Sequence, residues 1–434
     1  MYIHRVILRN IKGFDELDIR FSRTGVGGEE RYSGWNVLTG GNGSGKTTIL
    51  KAIALALVGP ETARALQPSF SGWVSHGSDR GTIAVQLLAG EGDSFDKGRP
   101  TAAPFFAELL LERRGDDVAI FPGREFVKGK RSAINGPWSV GPGVWFAAAY
   151  GPFRRLYGTS TEAMRLMSSP GRPPRFATLF KEDATLGESQ NWLQELQFKF
   201  LERKEKEITL LRDVIELLNE DFLRHGLRVD RVDSDGLWLK NAQDISLALA
   251  DMSDGYRSSL ALLIDIARHL AAAYPNRPLV ARSDDGKLVV PHHGVVLIDE
   301  VDAHLHPEWQ RDIGFWLKQH FPNVQFIVSS HSAFVCQAAD ELGIFTLDAQ
   351  VTEGDARLGK SDWERIVSGT VDQVLLSPAF GLIHTRSPRA VAFRREWSEL
   401  LASSKRTPLN EDKKARFEQL SLFTKDLVDA EESK

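Results

Sequence analysis

The stretch Gly40-Gly41-Asn42-Gly43-Ser44-Gly45-Lys46-Thr47-Thr48 constrains this chain more than any other. It satisfies the spacing G-x-x-x-x-G-K-[ST]. Asn36-Val37-Leu38-Thr39 reads as a short strand entering it, and Thr47 to Leu57 leaves it with Ile49, Leu50, Ile53 and Leu57 at helical spacing. Strand, glycine-rich turn and helix start together make a phosphate cradle. Glycines let backbone N–H groups close around β- and γ-phosphates, and a helix N-terminus adds the positive end of its dipole. In such a cradle Lys46 reaches the β/γ oxygens and the Thr47 hydroxyl ligates Mg²⁺. A flexible Gly/Ser loop would match the same spacing, but it would not sit between a strand and a helix.

The rest of the composition narrows the partners. The chain has 434 residues, 42% apolar and 26% charged, as in an ordinary globular protein. A net charge of −4 does not mark a nucleic-acid binder, so any such contact has to come from a local patch. The single cysteine, Cys336, forbids an intramolecular disulfide and fits a reducing cytoplasm. Arg5, Arg9 and Lys12 sit in strand-like sequence, unlike a secretory signal. No apolar run approaches the roughly 18 residues of a membrane helix.

In chain order, Tyr2 to Leu8 and Leu17 to Phe21 read as a hairpin. Thr82 to Leu88, Phe105 to Glu112 and Val118 to Phe121 form an antiparallel β region inserted after the first helix. The basic stretch Arg124, Lys128, Lys130 and Arg131 reads as a solvated hairpin, with a nucleic-acid contact as the alternative. Residues 156–180 suggest a loop, and Gly187 to Leu223 one amphipathic helix. Two short strands follow, then Ser253-Asp254-Gly255 opening a helix that runs through Leu260 to Ala273. Residues 275–294 read as a loop in which His292 and His293 are solvated. Val295 to Ile298 is a continuous apolar strand ending in Asp299-Glu300, the pattern of a strand covered on both faces of a parallel sheet. A helix from Pro307, a strand from Val324 to Ser329 ending near His331, and a strand from Ile344 to Leu347 complete that sheet.

The chemistry falls on strand ends. Asp299 is where a second Mg²⁺ contact belongs, through a water, and Glu300 is placed to orient or deprotonate an attacking water. His331, at the end of a neighbouring strand, is placed to touch the γ-phosphate. Ser253 and Gly255 open a second anion-binding helix N-terminus, for which a plain N-cap is the alternative reading. His304 and His306 have the i, i+2 spacing of metal ligands, but with no cysteine nearby they read better as packing and helix-start residues.

Four stretches carry a family resemblance. They are Leu8-Arg9-Asn10-Ile11-Lys12-Gly13-Phe14, Met252-Ser253-Asp254-Gly255-Tyr256-Arg257, Leu297-Ile298-Asp299-Glu300-Val301-Asp302-Ala303-His304-Leu305-His306-Pro307, and Ser329-Ser330-His331-Ser332. With the cradle, their order resembles the ATPase head of ABC-type proteins, in the SMC/RecF/OLD branch. Tyr150-Gly151-Pro152 to Arg154 and the tail Thr370 to Leu376 with Phe380-Gly381-Leu382 are most similar to the ATPases of Septu-type antiphage systems, including retron-associated ones.

The resemblance implies an α/β fold, a P-loop ABC-ATPase head with a mixed sheet, flanking helices, an antiparallel β region, a short helical insertion and a helical C-terminal tail. The expected domains are 1–155 (N-terminal lobe), 156–226 (helical insertion), 227–347 (C-terminal lobe with signature, acidic strand and switch histidine) and 348–434 (tail). ATP and Mg²⁺ are the implied ligands. Asn42, Gly43, Ser44, Gly45, Lys46, Thr47 and Thr48 bind nucleotide, and Thr47 with Asp299 binds the metal. Glu300, Lys46 and His331 act in catalysis. Ser253, Gly255 and Asp302 of a second copy complete the pocket. A Q-loop glutamine is not placed: Gln86 follows the wrong run.

The implied partners are a second copy and a separately encoded HNH-type nuclease, in the cytoplasm, without a membrane, and with DNA or retron RNA/DNA as a further candidate. The alternative is a RecF/SMC-like repair ATPase that clamps DNA directly. An OLD-type nuclease is not expected, because the tail acids Asp340, Asp348, Asp355, Asp362 and Asp372 form no D-x-D. A transporter subunit is disfavoured by the Asn10 to Phe14 element and the missing Q-loop.

Overall fold

The computed structural model describes all residues except 22, 25–29, 33, 124, 126–129, 140, 142–143, 157, 159, 170, 348–355 and 423–434. Arg124 and Lys128 of the basic stretch, and the tail acids Asp348 and Asp355, lie outside the described residues, as do the side chains of Lys130 and Arg131.

The apolar run before Asp299 becomes the strand Gly294–Ile298, buried along its whole length. It pairs in parallel with Val324–Ser329 on one side and Ala147–Tyr150 on the other. Val324–Ser329 pairs in parallel with Gly34–Thr39, and that strand with Ile344–Thr346. The result is a five-stranded sheet whose cradle strand lies between Ile344–Thr346 and Val324–Ser329. Alternation along these strands feeds two cores. Val295, Leu297 and Ile327 pack with the helix Lys46–Leu66, whereas Val296, Ile298 and Val328 pack with the helix Asp254–Ala273. Burying each such side chain stabilises by about 1.5–3 kcal/mol.

The antiparallel region forms a second five-stranded sheet, in the order Phe14–Arg20, Tyr2–Ile11, Arg80–Leu88, Phe105–Arg114 and Asp117–Pro122. It shares a core with the cradle helix, so that helix is covered by both sheets. The helix kinks at Gly59, with φ 79°, ahead of Pro60. Proline has no N–H for the carbonyl four residues back, and Trp138 Nε1 donates to Ala56 O at 2.7 Å in its place.

Several local expectations change. Residues 156–180 are not a loop: they hold the helix Thr161–Met167, capped by Ser160 accepting from Ala163 N–H, then the turns Pro173–Phe176 and Ala177–Phe180 around the fully buried Phe176. The long amphipathic helix is two, Gly187–Leu201 and Glu205–Asn219, packed on each other. Between Leu201 and Ile208 every residue is charged, so nothing anchors the helix to the core there, and Arg203 turns left-handed at φ 61°. Residues 281–289 form a small hairpin. His292 is not solvated. It is 2% exposed, stacked on Tyr274 at 4.6 Å, with Nε2 at 2.9 Å from Pro278 O. His293 Nδ1 lies 2.8 Å from Tyr2 Oη. Burial holds both imidazoles below their ordinary range.

Residues 1–380 and 381–434 form separate compact units. Within the second, Trp397 of Pro388–Ser404 stacks on Phe417 of Glu411–Leu422 at 5.8 Å, beside the pair Arg416–Glu396. No helix among the described residues is long and apolar enough to cross a membrane.

Candidate nucleotide-binding site

The cradle follows directly from its sheet. Thr39, fully buried, ends the central strand and shares a 3.0 Å hydrogen bond with Thr346 Oγ1. The chain then turns through Gly40 at φ 137° and Gly45 at φ 95°. Neither position admits a side chain: a Cβ on Gly40 would stand 2.3 Å from Leu347 O, and one on Gly45 2.4 Å from the Phe14 ring. Phe14, one of the residues behind the resemblance, thus packs directly under the helix start. Lys46 is buried and donates to Gly40 O at 2.8 Å and Gly41 O at 2.9 Å. Burial lowers its pKa, opposed by Asp299, Glu300 and Asp302. Asn42 and Gly43 are exposed at the rim, Thr48 is half-buried, and the buried Ser44 Oγ has no partner.

The cradle meets the acidic strand at one bond. Thr47 Oγ1 donates to Asp299 Oδ2 at 2.7 Å. Asp299 is 2% exposed, and its other oxygen accepts from Ser329 Oγ. The same Ser329 Oγ accepts from Glu300 N–H at 2.8 Å. Glu300 is exposed, with its backbone left-handed at φ 45°. Asp302 Oδ1 accepts from Ser330 Oγ at 2.6 Å and from His331 N–H at 3.4 Å, while the His331 side chain is exposed. Lys46, Thr47, Asp299 and Asp302 therefore converge at the carboxyl ends of adjacent parallel strands, the place where open α/β sheets bind ligands.

Sequence reasoning gave no role to three residues that organise this centre. Ser329 and Ser330 hold Asp299 and Asp302, and the only sequence signal for them is that they precede His331. Arg154, 3% exposed, donates to the carbonyls of Gly151, Asp299, Glu300, Val301 and Ala303. Its segment directly follows the edge strand Ala147–Tyr150.

Ser253 and Gly255 stand apart from this cluster. Ser253 is the N-cap of Asp254–Ala273, exposed, and its hydroxyl does not cap its own helix. A Cβ on Gly255 would lie 2.7 Å from His304 O, so the helix start is pressed against the turn after Glu300. A cavity of about 290 Å³ opens there, lined by Ser253, Gly255, Tyr256, His304, Leu305 and Trp309. His306 caps Pro307–His320, its ring accepting from Glu308 N–H at 3.4 Å. A larger cavity of about 460 Å³, beside Lys206, Asp213 and Arg277, is lined by none of the residues of the chemistry.

The donor set fits Mg²⁺ and a triphosphate. Thr47 and Asp299 are adjacent hard oxygens of the kind Mg²⁺ takes. Among the described residues Lys46 has only carbonyls as hydrogen-bond partners, and the orphaned Ser44 hydroxyl lies where a Cβ on Gly40 would crowd it at 2.8 Å.

Parts of the chain match known families and proteins. Residues 5–97 match the family described as "AAA domain", and residues 163–337 one described as "AAA domain, putative AbiEii toxin, Type IV TA system". The Retron Ec83 probable ATPase of Escherichia coli is 42% identical over 124 residues, 28% of this chain and 20% of that one. The Retron Vc95 probable ATPase of Vibrio cholerae is 41% identical over 99 residues, 22% of this chain and 17% of that one. Septu protein PtuA of Bacillus mycoides is 25% identical over 332 residues, 76% of this chain and 38% of that one. An Smc head domain with an extended coiled coil, derived from Pyrococcus furiosus, superposes with a TM-score of 0.45 at 16% identity, over 85% of this chain and 98% of that one. Over the matched stretches the chain is similar in sequence to the ATPases of the Ec83 and Vc95 retrons and to Septu protein PtuA. The matched stretches span 17% to 38% of the lengths of these curated relatives.

Proposed function

We propose that the chain is the ATP-hydrolysing regulatory subunit of a cytoplasmic antiphage defence complex. Two heads close on two ATP molecules, and nucleotide state governs a separately encoded effector of the HNH nuclease type. The observation that carries the reading is the Thr47–Asp299 bond, which joins phosphate cradle and acidic strand in one centre beside an exposed carboxylate, Glu300.

Lys46 and the cradle N–H groups hold the β- and γ-phosphates. Mg²⁺, held by Thr47 and Asp299, supplies charge neutralisation for the phosphate oxygens. Glu300 orients the water and takes its proton as oxygen attacks phosphorus and the bond to ADP breaks. His331 contacts the γ-phosphate. Ser253 and Gly255 of the second copy reach that phosphate, and Asp302 lies across the same interface. Ser253, exposed and with a hydroxyl that does not cap its own helix, supports this.

The test is Glu300→Gln. It keeps ATP binding and slows hydrolysis at least ~100-fold, the usual size of a general-base effect. Near-normal turnover removes Glu300 from the reaction. Purification from the native operon tests the partner, which should appear as a small HNH-type chain whose association depends on added ATP.

A further inference from the structure

We propose that Arg154 is a positioning residue for hydrolysis: its guanidinium locks the turn 299–303, and through it the direction of Glu300 and Asp302. The proposal rests on the reading of Glu300 as the group that orients water.

Arg154 is an unusual buried cation. It is 3% exposed, yet every hydrogen bond it makes goes to a backbone carbonyl. Burial disfavours the charge, Asp302, Asp299 and Glu300 offset this only through space without a direct bond to the guanidinium, and so its retention calls for a specific task. The task is written in its acceptors. NH1 takes Gly151 O and Asp299 O, each at 3.0 Å. NH2 takes Glu300 O at 3.2 Å, Val301 O at 3.3 Å and Ala303 O at 3.4 Å. Four of the five carbonyls of the turn 299–303 therefore point to one planar fork, while the fifth, Asp302 O, accepts from Leu305 N–H and Gln310 Nε2.

That turn is strained at the residue that matters. Glu300 has φ 45°, a conformation non-glycine residues adopt at a cost and keep only where the surroundings over-determine it. Its N–H is held by Ser329 Oγ at 2.8 Å and its carbonyl by Arg154 at 3.2 Å. With both ends of the residue pinned, its Cα–Cβ bond is aimed in one direction, and the side chain is exposed. Asp302 follows in the same turn and is clamped by Ser330. The guanidinium also lines a cavity of about 340 Å³ with Asp254, Arg257 and His304, so the first turn of the helix after Ser253 borders the same support. Lysine cannot reproduce this arrangement, because an ammonium is a point donor without the fork.

The experiment is a cycle of wild type, Arg154→Lys, Glu300→Gln and the double variant, reading kcat, KM and binding of a non-hydrolysable ATP analogue. Arg154→Lys should lower kcat roughly 10- to 100-fold, the size of effect expected for a misplacement of about 1 Å. KM and analogue binding should stay within about twofold. In the Glu300→Gln background the lysine change should cost less than about twofold, because both substitutions remove one orientation. Arg154→Gln, which keeps two donors without the charge, should behave the same way.

Losses that multiply in the double variant overturn the proposal, and so does an Arg154→Lys and Arg154→Gln pair that loses analogue binding along with hydrolysis. If Glu300→Gln alone turns over normally, the assignment of Glu300 fails instead. Slow Glu300→Gln with multiplying losses rejects only the positioning role.

Discussion

Gly255 shows how little slack a single residue has at this centre. Its missing side chain lets the helix start approach His304, whose carbonyl would stand 2.7 Å from any Cβ placed there. His304 directly follows the turn that Arg154 fastens, and it is left-handed at φ 65°. Gly255→Ala must therefore push the helix start away from the turn by some tenths of an ångström, because the contact is to backbone and not to a side chain that can swing aside. Hydrolysis should fall roughly 10-fold or more, from the geometric sensitivity of catalysis. Analogue binding to the Lys46 cradle should be unaffected, since Gly255 touches no cradle residue. Parallel measurement of steady-state turnover and analogue affinity checks this, and equal losses in both would mean that the substitution disturbs the whole head.

At the scale of elements, the helix Asp254–Ala273 and the edge strand Ala147–Tyr150 are joined by a buried polar cluster. Asp265, 1% exposed, accepts from Tyr150 Oη at 3.0 Å and from Arg268 NH2 at 2.9 Å. His269 Nε2 lies 3.2 Å from Arg268 NH2 and 3.4 Å from Asp265 Oδ2. Burial pushes the His269 pKa from 6.5 down to about 3, Asp265 opposes this, and Arg268 and Arg175 add to it. A nitrogen that accepts from Arg268 is a neutral one, so burial prevails over the carboxylate. The sign follows from linkage. Above pH 6.5 the imidazole is neutral folded and unfolded and contributes nothing to pH dependence. As pH falls below 6.5 only the unfolded chain takes the proton, and stability drops by about 1.4 kcal/mol per unit until the folded pKa is reached. Between pH 7 and pH 5 this amounts to roughly 2 kcal/mol, and His269→Gln should remove that share of the decline in urea midpoints.

The same cluster shows why some of the site was legible in the sequence and some was not. The phosphate cradle and Asp299-Glu300 could be read because their constraints are local: spaced glycines, a lysine, and an apolar run ending in acids. Arg154 could not be given a role, because four of its five acceptors lie beyond residue 298, and one arginine in a Gly/Pro segment has no period or spacing to mark it. The same holds for Trp138 under the kink at Pro60 and for His292 against Tyr274, each a pairing of distant residues. The parallel sheet was readable from strand hydrophobicity, while the break at Arg203 turned on the loss of apolar anchors within an otherwise helix-favouring stretch.

At the scale of the whole molecule, the cradle around Lys46 and the exposed helix start at Ser253 are the two halves of the proposed shared pocket. In the proposed head-to-head pair, a C₂ arrangement brings each cradle to the other copy's Ser253. This makes complementation a direct measurement. Lys46→Ala removes the cradle's grip, and Ser253→Arg blocks the helix start, so each variant alone should be inactive. Mixed in equal amounts and allowed to re-pair, half of the dimers contain one of each. Every such dimer has one intact pocket, formed by the Lys46 of the Ser253→Arg copy and the Ser253 of the Lys46→Ala copy. If the pockets fire independently, activity should return to about a quarter of wild type, and coupling between pockets would lower that figure. Recovery should follow the mixing ratio with a maximum at equal amounts. No recovery despite verified exchange of subunits would mean that Ser253 serves only its own chain, and a Ser253→Arg variant active by itself would remove it from the pocket altogether.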